Sequence, residues 1–598
     1  ERNIVKQDSS WNLNAFIDTD YVNKNFRTVE RLYRVEFNRD WNLENPLGNQ
    51  NIISSGLSLN HHKKGIINYA YEHLEYSENY NGNRHVLNND LHLNKIRITS
   101  NSSYLKSSSQ NYNSKFLRLS ARILYELNKG WIGAKTSLEN NQLEDKVSKL
   151  LTGNSQKYNA YETFSGIGDS TNVFAEVGYK YRVNDSLKSG ELARVNNSNT
   201  YYLKSKLINS QQTKLSVHAN YRELTYEDEA VQDEKSLNGR ILYNQGFFDQ
   251  FLNLNTVFEI NSGVVPQQDF TYAEVDEGQG YYTWIDYNEN GIQELNEFEI
   301  AQFQDQANFV KILLPNQVFI KTEQNKWSTS LSINPKSWIE SDNGFKKVLS
   351  KFFNQTSYLI DKKTKREDTF DFNLFKGEDD ELLTINSSFK NTLFFNRAKQ
   401  NFSTSYTYLQ NRNRNILSIG FQENNATNNQ LLFIHKFYTS WLFEFRNNLG
   451  ANKNESENFS TNNYELKNWS TNPKISFLAS TNTKLDAFYE YSVQENEIGD
   501  FENLKQQRIG ISFSVAKKDK ISLNGEFNYY INDFTGSSFS PVAYQMLEGL
   551  EKGENLTWNV FAQKRITKFL DLNFTYFGRK GETSKTIHTG NIQLKAFF

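Results

Sequence analysis

Apolar and polar side chains alternate along most of this chain, most cleanly near its end. In GNIQLKAFF, Ile592, Leu594, Ala596 and Phe598 share one side of a two-residue period while Asn591, Gln593 and Lys595 share the other, which predicts an amphipathic strand. The same period predicts strands through Leu570, Leu572, Phe574 and Tyr576; through Leu556, Trp558, Val560 and Ala562; and through Ile521, Leu523, Phe527 and Tyr529. Two more run through Ile509, Ile511, Phe513 and Val515, and through Leu485, Ala487, Tyr489, Tyr491 and Val493. The opposite faces carry Asp486, Glu490, Ser512, Ser522, Asn524, Glu526, Asn559, Asp571, Asn573 and Thr575. That is too polar for the interior of a soluble β-sandwich, so this face must meet water.

The connections alternate in length. Short ones fall at 564–568, 517–520 and 481–484, and long ones at 578–586, 531–555, 494–505 and 447–464, the asymmetry of barrels with short periplasmic turns and long extracellular loops. Proline is placed compatibly: Pro46, Pro266, Pro315 and Pro541 fall in predicted loops, Pro335 and Pro473 at strand margins, where a missing N–H costs least. Upstream, NIISSGLSLN, GIINYAYEHLEY, KFLRLSARILYEL, NVFAEVGYKYRV and TKLSVHANYREL continue the pattern. Counting such segments gives roughly 22–26 strands, within the range of bacterial barrels. The predicted fold class is therefore all-β: a large antiparallel transmembrane β-barrel with long extracellular loops, residues 1–598 as one domain with a long loop insertion at 264–325. In lipid every backbone group needs a partner inside the protein. The strand ending at Phe598 is thus expected to pair with one near the N-terminus and close the sheet.

Composition changes little in this picture. The chain has no cysteine, one methionine, six prolines, 44 phenylalanines and 33 tyrosines, a balance that favours extended structure and excludes disulfides and thiolate metal sites. A net charge of −2 offers no basic field for nucleic acid. Mean hydropathy is −0.72, and no run approaches the roughly 20 apolar residues of a membrane-spanning helix. A barrel escapes that test, because its strands need only ~9–11 residues with every second one apolar. Glu1 in place of Met, with no charged-then-apolar leader, is read as a mature or trimmed form.

The terminal run Ile592, Leu594, Ala596, Phe598 resembles the recognition signal of bacterial outer-membrane β-barrel proteins, which end in alternating apolar residues and a C-terminal Phe. With MLEGLEKGENLTWN, FGRKGETSKTIHTGNIQLKAFF and its richness in Asn and Lys, the chain looks like a large outer-membrane barrel of the Bacteroidota type. The resemblance implies residence in a bacterial outer membrane, contact with outer-membrane lipids, delivery by the barrel-assembly machinery through the C-terminal strand, and outer-membrane or periplasmic proteins as candidate partners.

Inside the insertion the alternation breaks at YYTWIDYNENGIQELNEFEI. Asp286, Asn288, Asn290, Gly291, Glu294 and Glu297 occupy positions 1, 3, 5, 6, 9 and 12 of a calcium loop, with the backbone of Ile292 at position 7. Oxygen ligands on alternate residues turn inward, the glycine permits a sharp reversal, and the late glutamate can bind through both oxygens. The predicted cofactor is a structural calcium ion held by Asp286, Asn288, Asn290, Ile292, Glu294 and Glu297. The segment GYYTWI before the loop reads as extended, so this is not a helix–loop–helix hand. The alternative without an ion is an Asn/Gly-rich turn followed by a short acidic helix over ELNEFEIAQFQ. Counting strand parity back from the C-terminus puts the insertion outside the cell.

No H-E-x-x-H, G-x-S-x-G or phosphate-binding glycine loop occurs. The eight histidines are scattered, apart from the neighbours His61 and His62. Asp379 and Asp380 suit a solvated turn better than a hydrolase. No catalytic residue is assigned, and the chain is expected not to be an enzyme. The predicted function is a conduit for solutes or polypeptides; the alternatives are a non-enzymatic structural barrel subunit of a multi-protein outer-membrane assembly, and a barrel hydrolase.

Overall fold

A strand turns successive side chains to opposite faces, so the alternation sorts apolar from polar residues before any packing is considered. The computed structural model describes residues 2–597 except 7–10, 27–32, 340–343, 367–369, 371, 373, 375–381, 398, 400, 418–419 and 518–520. Phe598, Asp379, Asp380 and most of the expected turn at 517–520 lie outside the described residues. The fold is all-β, with 72% of residues in strands, 5% in helices, and a 26-strand antiparallel sheet. A five-residue strand, Arg2–Lys6, and two three-residue strands, Tyr282–Trp284 and Phe298–Ile300, are additional to these. Among the described residues no helix is long and apolar enough to cross a membrane.

The chain divides into two compact units, Glu1–Ile241 and Leu242–Phe598. In the first, strands from Trp11–Val22 to Thr213–Tyr226 follow one another as an up-and-down meander, each paired antiparallel with the next. In the second, Leu252–Glu274 pairs with Phe309–Ile333 and the meander continues to Ile587–Ala596.

Many strands are longer than a bilayer requires. Asn503–Lys517, Ile521–Thr535 and Gly553–Thr567 have 15 residues each against the ~9–11 that span lipid. The connections are correspondingly shorter than the sequence suggested: 457–463, 497–502, 536–552 and 581–586 at one end of the second unit, 438–440, 481–482 and 568–569 at the other. The asymmetry survives with two exceptions. On the long-loop end Leu417 pairs directly with Gly420, leaving a two-residue connection. The connection at 334–351, on the short-turn end, carries a 3₁₀ turn, Pro335–Trp338, and a helix, Gly344–Leu349.

The expected insertion at 264–325 contracts in the same way. Its flanks are strands, paired from Leu252 opposite Ile333 to Glu274 opposite Phe309 with a register shift between Gln268 and Phe270, so the part outside the pairing is 275–308. Alternation fails at 264–274 and 309–325 because a hairpin projecting past the lipid has no apolar face to maintain. Pro266 sits within this hairpin, opposite Phe319, and not in a loop.

In the first unit residues 33–49 lie against the polar side of the sheet through a one-turn helix, Phe37–Asp40. Trp41 is buried with Leu74, Tyr80, Leu105 and Phe116, and the Arg84 guanidinium lies 4.7 Å from its ring centroid. Buried Asp40 is ion-paired with Arg34, Arg118 and, at 3.5 Å, Arg84, while Arg39 reaches Glu139 at 2.6 Å. Charges on this face are buried in mutually compensating sets, as burial requires.

Candidate functional site

The second unit shows which face meets what. Leu485, Ile509, Ile511, Phe527 and Ile531 are exposed large apolar side chains. Alternate positions on these strands are polar and tied to one another: Arg508 donates to Glu526 at 2.6 Å and to Asn528 at 3.0 Å, and Asn528 donates to Glu526 at 2.8 Å; on the preceding strands Lys474 reaches Glu444 at 3.0 Å. A sheet that hides its charges and presents Ile, Leu and Phe outward is the reverse of a soluble sandwich and has the sidedness of a large transmembrane β-barrel. The expected assignment of faces, including Asp486, Glu490, Glu526 and Asn559 on the polar side, matches this pattern.

Against the polar face lies segment 275–308. Its tip is a small hairpin in which Tyr282–Trp284 pairs with Phe298–Ile300, anchored by Tyr272, which stacks on Phe298 at 4.1 Å, and by Phe309 at 5.1 Å from Phe298. Residues 285–297 between these strands are the calcium-like loop, flanked by strands as GYYTWI suggested. The acidic helix of the alternative reading shrinks to one 3₁₀ turn, Leu295–Glu297.

The loop reverses where its spacing requires, with positive φ at Glu289 (58°) and Gly291 (70°). Asp286 accepts hydrogen bonds from the N–H of Asn290 at 3.0 Å and of Gly291 at 2.7 Å, and Asn290 Oδ1 accepts from Ile292 N–H at 2.6 Å. Asn288 donates to Glu294 at 2.7 Å. Glu297 is 1% exposed; its Oε2 accepts from Trp284 Nε1 at 2.9 Å, while its Oε1 has no hydrogen-bond partner. Among the described residues no three His, Asp or Glu side chains converge closely enough to grip an ion. The structure thus brings all six predicted positions into one loop, with side-chain oxygens engaged by backbone N–H groups, the Asn288 amide and the Trp284 indole, and one buried carboxylate oxygen unsatisfied.

Docking of this segment involves residues that the periodicity did not single out. Between strands Ile521–Thr535 and Gly553–Thr567 stands a helix, Pro541–Leu547, capped by Ser540, whose Oγ accepts from Ala543 N–H at 3.1 Å. It buries Val542, Ala543, Met546 and Leu547 against Leu466, Leu504 and Phe534 on the inner face. Ser540 followed by Pro541 is the sequence mark of a helix start, and Val542 and Met546 have helical spacing; that was the available signal. Tyr544 Oη accepts from Gln302 N–H at 3.1 Å and donates to the Ile300 carbonyl at 3.3 Å, and Gln545 donates to Glu299 at 3.2 Å. Burial pushes the Glu299 carboxyl up to about 7, against the opposing pull of Gln545. Gly549, at φ +72°, lets the chain pass Gln302 and Phe303, where an added Cβ would meet atoms at 3.1 Å.

The far edge is fastened by Arg579, which pairs with both oxygens of Asp305 and lies 4.1 Å from the Phe303 ring centroid. Between the segment, the turn at Glu548 and Leu550 that follows the helix, and the wall remains a cavity of about 470 Å³.

No family model matches the chain, and no curated protein matches it. Among solved structures it is similar to the copper transporter OprC, at 8% identity and TM-score 0.28, over 87% of this chain and 80% of that one. It is similar also to OccAB4 of Acinetobacter baumannii, at 10% identity and TM-score 0.29, over 73% of this chain and 97% of that one. A third is the pyoverdine outer membrane receptor FpvA from Pseudomonas aeruginosa PAO1, at 9% identity and TM-score 0.27, over 92% of this chain and 82% of that one. The chain's own two faces, and not these likenesses, give it the sidedness of a transmembrane β-barrel, and its polar face carries the segment just described.

Proposed function

We propose that the chain is a non-enzymatic conduit of the outer membrane, of the Bacteroidota type its C-terminal run resembles, passing small solutes along its polar face. One observation carries this reading. Segment 302–305 and the turn at Glu548 and Leu550, which follows the helix Pro541–Leu547, lie at the polar face and leave a water-accessible chamber of about 470 Å³ in place of a packed core. A purely structural barrel has no need of such a space. A chamber of that volume suits solutes better than a folded or extended polypeptide.

The reading includes closure of the sheet by pairing Ile587–Ala596 with a strand near the N-terminus, recognition of the C-terminal strand by the barrel-assembly machinery, and outer-membrane or periplasmic proteins as partners. It places segment 275–308 on the extracellular side, the end it shares with 536–552 and 581–586. Calcium belongs to it as a structural ion: Glu297, buried with one free oxygen, supplies the position-12 carboxylate, and Asp286, Asn288, Asn290, Glu294 and the Ile292 carbonyl complete an all-oxygen set.

Planar-bilayer recordings test the conduit. The purified protein should conduct, and replacing 276–307 by a short Gly-Ser link should raise the unit conductance severalfold. If neither protein conducts, the structural-subunit reading takes its place.

A further inference from the structure

The chamber has a charge pattern that specifies what it would hold. Its walls bear two guanidinium groups, and both are committed. Arg579 is taken up by Asp305, with Nη2 at 2.6 Å from Oδ2. Arg508 is taken up by Glu526 at 2.6 Å and Asn528 at 3.0 Å, with Glu490 at 3.6 Å on its remaining side. A bound anion would have to displace one of these internal carboxylates and leave it unpaired, which is costly.

Glu548 is different. It follows the helix Pro541–Leu547 in a left-handed conformation, φ 53°, and lines the chamber. Its side chain is partly exposed, and among the described residues its carboxylate has no hydrogen-bond or ion-pair partner. Surrounding protein raises its titration above the ordinary carboxylate value, Arg508 opposing this and Glu490 adding to it. One uncompensated carboxylate in an otherwise balanced, polar chamber favours a cation that can also donate hydrogen bonds.

We propose that this chamber binds an ammonium-bearing solute of about dipeptide size, with Glu548 taking the ammonium group. The inference rests on the conduit reading and names its substrate class. The helix supplies a fixed mount for the carboxylate because Met546 and Leu547 are locked in the cluster with Leu504 and Phe534. Segment 302–305 forms the opposite wall.

The experiment is calorimetric titration of the detergent-purified full chain with three probes of similar size: the Lys–Lys dipeptide, the Glu–Glu dipeptide and cellobiose. Lys–Lys should bind at least tenfold more tightly than either of the others. Glu548→Gln should abolish that preference, with heat-modifiability on gels confirming that the variant is assembled. Glu526→Gln, which frees one side of Arg508, should move the preference towards Glu–Glu. Equal binding of Lys–Lys by the Glu548→Gln variant, a preference for Glu–Glu or cellobiose in the unmodified protein, or binding of none of the three would each overturn the proposal. Bilayer conductance, recorded separately without probes, keeps the two readings apart. A conducting protein without the Lys–Lys preference retains the conduit and loses the chamber's specificity, whereas a preference without conductance does the reverse.

Discussion

Arg579 and Asp305, 274 residues apart in sequence, meet as a two-pronged ion pair that joins segment 275–308 to the strand Leu570–Lys580. Both side chains are largely buried, at 15% and 14% exposure, so removing one leaves the other uncompensated, at a cost of about 3 kcal/mol. Arg579→Ala should therefore release the segment, speeding proteolysis within 275–308 and raising conductance. The exchange Asp305→Arg with Arg579→Asp should restore much of the protection. Unchanged proteolysis and conductance in Arg579→Ala would show that the pair does not fasten the segment.

The sidedness of the sheet predicts opposite outcomes for neighbouring residues. Ile511 is among the exposed apolar side chains and Ser512, next to it, bonds Asp486 at 3.3 Å on the polar face. Ile511→Arg, near mid-strand, should lower stability by ~2–4 kcal/mol and deplete the heat-modifiable form, whereas Ser512→Arg should assemble nearly as the parent does. Refolding into liposomes under a urea series measures both. Equal losses would mean that the faces are misassigned.

Calcium should order the tip. With affinities of ~10⁻⁴–10⁻³ M typical of extracellular modules, millimolar calcium should slow hydrogen exchange over 285–300, and chelator should reverse the effect. Glu297→Gln removes half of the bidentate ligand and should abolish the response while leaving Trp284 packed. Exchange that is indifferent to calcium in the unmodified protein would exclude the ion.

Ligand binding in the chamber should depend on pH in one direction. The Glu548 carboxyl titrates above its ordinary 4.5, because protein surrounds it and Glu490 adds to the effect while Arg508 opposes it. An ammonium ligand binds the ionised form, so Lys–Lys affinity should be weak at pH 4, rise through a midpoint above 4.5 and then level off. Glu548→Gln should flatten the curve. A midpoint at or below 4.5 would assign the titration to another group.

Some of this was legible in the strands themselves. The alternation at Ile509, Ile511 and Phe513 specifies the face of that strand, because a period of two leaves no freedom in which side points where. The loop from Asp286 to Glu297 was legible because its ligand types recur at fixed offsets. Less legible were strand ends, since a strand that continues past the lipid loses its apolar alternation while keeping its backbone pairing, as at 264–274 opposite 309–321. The helix at Pro541 was hidden in a stretch read as loop: it is only seven residues long, and its apolar face has meaning only against Leu466, Leu504 and Phe534.

Sequence alone determined the all-β class, the sidedness of the strands that alternate and the composition of the oxygen-rich loop, all of which follow from local spacing of two to twelve residues. Only tertiary structure decided that segment 302–305 lies against the polar face, that Arg579 and Arg508 are committed to Asp305 and Glu526, and that Glu548 is left without a partner among the described residues. Those pairings join strands and loops up to hundreds of residues apart, and nothing in the local pattern of either partner encodes the other. Charge compensation is settled when the elements pack, because the cost of an unpaired charge arises only where the folded wall excludes enough water for the pairing to matter.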